Sequence, residues 1–382
     1  MAERSIRIAM NGVTGRMGRN QHLERSIMAI RRQGGVELPN GDRVVPEPVL
    51  VGRNPEKLEA LAAEFGVDEW TTDLDGVLAD PDIDVYFDAQ LTSLRAAAVR
   101  AAIDAGKAVY CEKPLAEDSA TARDLARRAQ EAAIAHGIVQ DKLFLPGLLS
   151  LRRLIDSGFF GRILAVKGDF GYWVFEGDVE SPQRPAWNYK REEGGGIILD
   201  MFPHWQYVIE GLFGRIRSVV ALGKTHIPTR WDGGEPYEAT ADDAAYAIME
   251  LEDGTVVQMN SSWATRVYRD ELLVFQVDGT HGSAVAGLRG CRQQHRSATP
   301  RPVWNPDIPN PIDFRAGWLE VPQVGEAKNA FQLQWEEFIR HVTAGTPFAW
   351  DFSAGVRGLE LVDAAWRSWQ ERRWVDLSEV SA

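Results

Sequence analysis

From residue 5 to residue 142 the chain alternates short apolar runs with stretches of helical period, a rhythm that confines it to strand-helix-strand units feeding a parallel sheet. Strands are expected at 5–10, 48–51, 84–89, 108–111 and 138–140, and helices at 20–32, 55–65, 94–105 and 119–136. Gly106 stands where a helix stop belongs, and Ser119 where a cap does. Residues 34–46 interrupt the rhythm and read as a surface hairpin or loop that turns at Asn40 and Gly41.

Past residue 145 the pattern changes to longer, antiparallel-looking strands, expected at 162–175, 216–226, 243–251, 255–264, 271–278 and 283–288. Asp253-Gly254 and Asp278-Gly279 are strong hairpin-turn dipeptides. Residues 289–322 carry six prolines and little periodicity, which suits a long ordered loop or a subunit-contacting arm. Helices at 329–344 and 352–370 close the chain. Twelve of the 13 tryptophans lie between Trp173 and Trp374, so the two parts differ in chemistry as well as in period. A chain of 382 residues is too long for one comfortable core. Two domains are predicted, 1–142 and 143–382.

Forty-two Lys and Arg against 55 Asp and Glu leave a formal charge of −13. That field repels polyanions, so nucleic acid is not an expected partner. The opening MAERSIRIAMNG lacks the basic segment and apolar run of a signal peptide, and no apolar stretch approaches the ~20 residues that span a bilayer. The expectation is a cytoplasmic protein with no membrane partner. Cys111 and Cys291 are the only cysteines. They are too few for a disulfide framework and lack metal-ligand spacing, so no metal is expected and both read as buried apolar residues or bystanders.

Gly12-Val13-Thr14-Gly15-Arg16-Met17-Gly18 lies just after the first strand and just before the first helix. Glycines there let the backbone turn tightly and approach a pyrophosphate, whose charge then sits on the free N–H groups at the positive end of the helix. The spacing is G-x-x-G-x-x-G and not the commoner G-x-G-x-x-G; its place at the first strand-helix junction is what marks Gly12, Thr14, Gly15, Arg16, Met17 and Gly18 as dinucleotide contacts. At the end of the next strand an acidic residue would take the ribose 2′-hydroxyl of NAD. Here the chain has Arg53 and Asn54, and an arginine can pair with a 2′-phosphate, which favours NADP over NAD.

Glu112-Lys113-Pro114 stands at the carboxyl end of a strand, where ligands of open α/β sheets bind. A partly desolvated lysine beside a cofactor can pass a proton to or from a substrate oxygen. Gly194-Gly195-Gly196 opens a run in which Asp200 and His204, spaced i, i+4, share one helix face. A carboxylate one turn from an imidazole can orient it for acid-base work, although such a pair on an apolar helix also serves as a plain core hydrogen bond. Pro203 inside the run suggests a kink or a late helix start.

Together these pieces resemble the Gfo/Idh/MocA family of oxidoreductases, over nearly the whole chain. The family's E-K-P is matched by Glu112, Lys113 and Pro114, and its glycine run with D-x-x-x-H by Gly194 to Gly196, Asp200 and His204. Its segment after the sixth strand is similar to Ser157-Gly158-Phe159-Phe160-Gly161-Arg162-Ile163. The resemblance implies an α/β fold: an N-terminal Rossmann domain, then a C-terminal α/β domain on a large open, mostly antiparallel sheet that often forms the oligomer contact, hence a homodimer or homotetramer. It implies that Lys113 and His204 handle a proton while Asp200 orients or tunes them, and it leaves open which of the two is the base. Two departures stand out. The Gly15-Arg16-Met17-Gly18 stretch is closer to the loop of dihydrodipicolinate reductases, and the turn Gln90-Leu91-Thr92-Ser93 replaces the family's Thr-Pro-Asn type turn and following His. Gln90 and Thr92, with Glu112 and Lys113, complete the cofactor candidates.

The function this implies is an NAD(P)-dependent dehydrogenase or reductase acting on CH-OH groups. It would transfer hydride between nicotinamide and a secondary alcohol or ketone of a sugar, polyol or cyclic diol. Tyr172, Trp173, Trp187, Asn188 and Lys190 precede the triple glycine and read equally as a substrate lining or as core and rim. An NAD-dependent glycosidase of the same fold and a non-catalytic dinucleotide sensor are the alternatives. A sensor has no need of Lys113, Asp200 and His204 together.

Overall fold

The computed structural model describes residues 3–325 and 328–381. β1 (Glu3–Asn11) leads into α1, wound as a π-helix over Gly18–Ile27 and as an α-helix over Met28–Arg32. There follow β2 (Val36–Glu37), β3 (Arg43–Val51), α2 (Pro55–Phe65), β4 (Glu69–Thr71), α3 (Leu74–Ala79), β5 (Val85–Asp88), α4 (Thr92–Asp104), β6 (Ala108–Cys111), α5 (Ser119–Glu131) and β7 (His136–Ile138). The strands form one sheet in the order β2-β3-β1-β5-β6-β7, with β4 beside β3. All pairs are parallel except the β2-β3 hairpin, which turns at Asn40-Gly41 as expected. β5 and β6 are buried along their whole length, as strands in a sheet covered on both faces must be.

Local chemistry explains where the expected boundaries hold and where they move. α2 runs over the expected residues because Asn54 Oδ1 accepts the Lys57 N–H at 2.9 Å, Pro55 opens the helix and Gly66 closes it at φ +65°. α5 is capped by Asp118, which takes the Thr121 N–H at 2.7 Å, and not by Ser119. It stops at Glu131, short of the expected 136, with Ala133 at φ +51° and His136 already in β7.

The second half continues with α6 (Pro146–Asp156), β8 (Ile163–Gly171), α7 (Ile197–Leu212), β9 (Ile216–Lys224), β10 (Thr229–Asp232), β11 (Glu235–Glu238), β12 (Ala244–Leu251), β13 (Val256–Ser262), β14 (Leu273–Gly279), β15 (Gly282–Gly287), β16 (Cys291–His295) and β17 (Leu319–Glu320). α8 (Ala330–Ala344), α9 (Phe352–Glu371) and β18 (Val375–Asp376) end it. A nine-stranded sheet runs β17-β16-β15-β14-β8-β13-β12-β9-β18, and every neighbouring pair is antiparallel except β8 with β13. On one face α7 packs against β9, β12 and β13, with Trp205 fully buried and its Nε1 donating to Ser261 Oγ at 2.8 Å. Leu164, Leu222, Tyr246, Ile248 and Val256 are exposed. Asp253-Gly254 makes the expected turn, with Gly254 at φ +84°. Asp278-Gly279 does not: β14 continues through Gly279, where a Cβ would lie 2.4 Å from the Phe160 oxygen, so that glycine serves a close approach.

The compact units are not the consecutive stretches 1–142 and 143–382. One unit contains the residues through Phe144 together with Lys328–Glu360; the other contains the stretch between these and the residues from Leu361 onward. The reason lies in α8, whose Trp335, Phe338 and Ile339 join the core of Ile8, Phe87 and Tyr110. Its Gln334 accepts the Gln140 N–H at 2.7 Å and donates to the Ile138 oxygen at 3.1 Å. Among the described residues no helix is long and apolar enough to cross a membrane.

Candidate active site

β1 ends at Asn11, and the chain turns through Gly12 into α1. Gly12 sits at φ +84°, and a Cβ on it would lie 2.5 Å from the Ala89 carbonyl carbon, so only glycine lets the turn close over the end of β5. A Cβ on Gly18 would lie 2.4 Å from the Gly12 oxygen, which presses the start of α1 against the loop. Gly15 differs. Its N–H donates to the Gly12 oxygen at 3.1 Å, and a Cβ there would meet only that oxygen, at 3.3 Å. Thr14, Gly15 and Arg16 are exposed and Met17 is half-buried. No side-chain hydrogen bond caps α1 at Met17 among the described residues, and the Arg19 N–H of its first turn donates to the Gly15 oxygen at 2.8 Å. A tight turn, a pressed helix start and an unobstructed backbone at Gly15 fit a dinucleotide pyrophosphate. At the end of β3, Asn54 is committed to capping α2, and Arg53 is the exposed cation. Gln90 gives both its N–H and its side-chain amide to Asp88, at 3.1 and 2.8 Å, and Thr92 begins α4.

Lys113 follows β6 and is half-buried. The Glu112 carboxylate turns inward: its Oε1 lies 2.8 Å from His22 Nε2, and its Oε2 accepts the Lys113 N–H at 3.1 Å. His22, fully buried on α1, takes the Trp335 Nε1–H on its Nδ1 at 3.0 Å. An indole N–H can only donate, so the ring proton of His22 is assigned to Nε2, facing Glu112. Burial would push the Glu112 carboxyl up, but the His22 hydrogen bond and the Lys113 and Arg95 charges outweigh it and hold it below the usual range. Deeper in, Asp88 takes four donors: the Tyr86 hydroxyl at 2.8 Å, Arg95 Nε at 3.1 Å and the two from Gln90. Arg95 also donates to the Gln90 and Pro114 oxygens, so a saturated buried ion pair ties the end of β5 to the turn after Lys113.

In the second unit the triple glycine lets the start of α7 lie close to its neighbours. A Cβ on Gly195 would lie 2.4 Å from the Trp187 oxygen, and one on Gly196, at φ +121°, would lie 2.9 Å from Asp242 Oδ1. Asp242 Oδ2 accepts the Ile198 N–H at 2.8 Å and so caps α7 from a distance. The helix begins at Ile197 and runs through Pro203 without ending, so the late start allowed by the sequence does not occur. Asp200 Oδ2 accepts from Arg184 Nη1 at 3.1 Å. The same arginine reaches Asn188 Oδ1 at 3.0 Å and the Tyr172 hydroxyl at 3.3 Å, and its guanidinium lies 4.1 Å over the Trp263 ring. Burial works against the Arg184 charge, but the Asp200 carboxylate and Tyr172 more than offset it. His204 is buried, with Nδ1 2.6 Å from the Tyr207 hydroxyl. Tyr172 and Asn188 thus converge with Asp200, whereas the other expected lining residues do not join them. Trp173 is covered by Arg266 at 4.0 Å, Lys190 pairs with Glu193 at 2.9 Å, and Trp187 is exposed.

Residues 6–136 match the family model described as an oxidoreductase family with an NAD-binding Rossmann fold, and residues 148–285 match the GFO/IDH/MocA C-terminal domain. Over 98% of each chain the sequence is 55% identical to D-xylose dehydrogenase of Paenarthrobacter nicotinovorans. The chain belongs to the Gfo/Idh/MocA family of oxidoreductases. A more distant relative, scyllo-inositol 2-dehydrogenase (NAD(+)) of Bacillus subtilis, is 26% identical over 98% of this chain and 97% of its own. In fold this chain is similar to levoglucosan dehydrogenase in complex with NADH and L-sorbose, with a TM-score of 0.80 at 24% identity, covering 98% of this chain and 99% of that one. The family, the two-part α/β fold and the oxidoreductase class expected from the motifs are borne out.

The Gfo/Idh/MocA motifs lead to Lys113, Asp200 and His204 but not to the residues that hold them. Arg184 lies in an irregular stretch with no periodic signal. His22 and Trp335 are separated by 313 positions and meet only through the fold. Tyr207 alone had a local cue, standing i+3 from His204 on the same helix.

Proposed function

We propose that this protein is an NAD(P)-dependent sugar dehydrogenase that oxidises a ring CH-OH group of an aldose, with D-xylose the first substrate to try. The observation that carries this is the end-to-end 55% identity to a D-xylose dehydrogenase. The polar cluster of Tyr172, Asn188, Asp200 and Arg184 supports it, since sugars are read by such directional hydroxyl contacts. Bound along Gly12 to Gly18, the dinucleotide supplies the nicotinamide that takes the hydride.

The chain's own residues position the sugar and move the proton. Lys113 and His204 are the groups for the hydroxyl proton, and either serves as the base. Asp200, fixed by Arg184, orients the hydroxyl-binding side of α7. Arg53, exposed and with no carboxylate next to it in sequence, supports NADP as the preferred cofactor. The proposal includes a homodimer or homotetramer joined through the sheet residues Leu222, Tyr246, Ile248 and Val256, to be checked by light scattering, and a cytoplasmic location.

The deciding experiment is initial-rate measurement with NADP+ and NAD+ over D-xylose, other aldoses, levoglucosan and inositols. Turnover of an aldose supports the proposal, and no turnover of any of them overturns it. With an aryl glycoside added to the panel, release of the aglycone without net cofactor turnover would mark a glycosidase instead.

A further inference from the structure

We propose that His22 and Trp335 are positioning residues for the Glu112-Lys113 turn, acting through a buried chain of hydrogen bonds that starts on α8. The inference rests on the reading of Lys113 as a proton-handling group. Three contacts carry it. Trp335 Nε1 donates to His22 Nδ1 at 3.0 Å, His22 Nε2 meets Glu112 Oε1 at 2.8 Å, and Glu112 Oε2 accepts the Lys113 N–H at 3.1 Å. His22 and Trp335 are fully buried and Glu112 nearly so. The wide winding of Gly18–Ile27 seats the His22 ring 4.4 Å from Phe87 and 5.1 Å from Phe331, and among the described residues Glu112 is the charged side chain bonded to it. A π-wound segment inside an otherwise α-helical stretch is often a functional device.

The chemistry gives each link one role. Trp335 is donor only, so it fixes the His22 tautomer, and His22 then presents a neutral N–H to Glu112. The charged groups facing Glu112 are Lys113 in the same turn and Arg95 from α4, itself bonded to Asp88 of β5. Glu112 therefore stays a carboxylate at a set place and holds the backbone from which Lys113 projects. Without the indole N–H, His22 Nδ1 is open to a proton. The ring can then reverse its tautomer or become an imidazolium, and Glu112 meets a different partner in either case.

The test is Trp335→Phe, which removes the N–H and keeps an aromatic ring. With D-xylose and NAD+ or NADP+, kcat should fall about tenfold to a hundredfold while KM values move less than about threefold, the pattern of a misplaced catalytic group. The kcat–pH profile should gain an inflection that the parent profile lacks. Adding His22→Gln should remove that inflection, since glutamine can donate to Glu112 but does not titrate. ¹⁵N-imidazole spectra of the cofactor-free protein should show the proton of His22 on Nε2. A Trp335→Phe protein with the parental kcat and pH profile, an inflection that survives in the double variant, or a proton on Nδ1 overturns the proposal. Should Trp335→Phe not fold, His22→Gln and His22→Leu are compared, and equal kcat in the two overturns it. Lys113→Met separates the layers. Full kcat there removes the reading of Lys113 itself, whereas an inactive Lys113→Met beside a parental Trp335→Phe removes only the positioning chain.

Discussion

Arg184 Nη1 lies 3.1 Å from Asp200 Oδ2, and the same guanidinium sits over the Trp263 ring, 4.1 Å from its centroid, while reaching Asn188 and Tyr172. One cation therefore fixes three groups that the sequence marks separately as site residues. Arg184→Gln should lower kcat/KM for the sugar about a hundredfold, the scale of a mispositioned site, and leave dinucleotide affinity unchanged. Both partners are partly exposed, at 22% and 31%, so the pair should add no more than about 1 kcal/mol to stability. A large fall in Tm with a proportionate loss of activity would show that Arg184 is structural only.

Gly12 and Gly15 should respond differently to the same substitution. Gly12→Ala forces a side chain into the Ala89 carbonyl at a left-handed φ and should cost about 3 kcal/mol or more of stability. Gly15→Ala meets only the Gly12 oxygen at 3.3 Å, so the variant should melt near the parent yet bind NADH and NADPH more weakly, by roughly tenfold. Thermal melts and fluorescence titrations of both variants check this, and unchanged affinity in Gly15→Ala would move the pyrophosphate elsewhere.

Arg53→Ala removes the exposed cation at the end of β3. If Arg53 meets a 2′-phosphate, the Kd for NADPH should rise about tenfold to a hundredfold, as for a lost charge-assisted hydrogen bond, and the Kd for NADH should stay within about twofold. Equal changes for the two cofactors would end the argument for NADP.

The Glu112 carboxyl is held below its ordinary value of 4.5 in the folded protein. Its contribution to stability is therefore fully present above about pH 4.5 and is lost as pH falls through the lower, folded value. Glu112→Gln should be less stable than the parent at pH 7, with the gap narrowing below pH 4.5. Urea unfolding of both proteins from pH 3 to 7 measures it, and a gap independent of pH would mean that the carboxylate charge has no part.

Much of the first sheet is legible in local chemistry: Asn54, Pro55 and Gly66 bound α2 to the residue, and the apolar run 108–111 is β6. Lys113 and Asp200 are legible because short motifs carry them. What is not legible depends on contacts far apart in sequence. Gly279 reads as a turn glycine, yet its demand comes from Phe160, more than a hundred positions earlier. The 329–344 helix shows its apolar stripe but not which sheet it covers, since Trp335, Phe338 and Ile339 would suit either core. Arg184 has no period, spacing or neighbour in sequence to distinguish it from other surface arginines.

The return of α8 to the first sheet also sets an order of assembly. On the ribosome, β1 to β7 emerge long before Trp335 and Phe338, so Phe87, Tyr110 and His22 wait without their cover until nearly nine-tenths of the chain has been made. The dinucleotide-binding half is the first to be started, yet it stays incomplete until Lys328–Glu360 has been made. For the same reason it cannot be transplanted as an N-terminal cassette: a graft cut after Phe144 would leave behind the helix that closes its core.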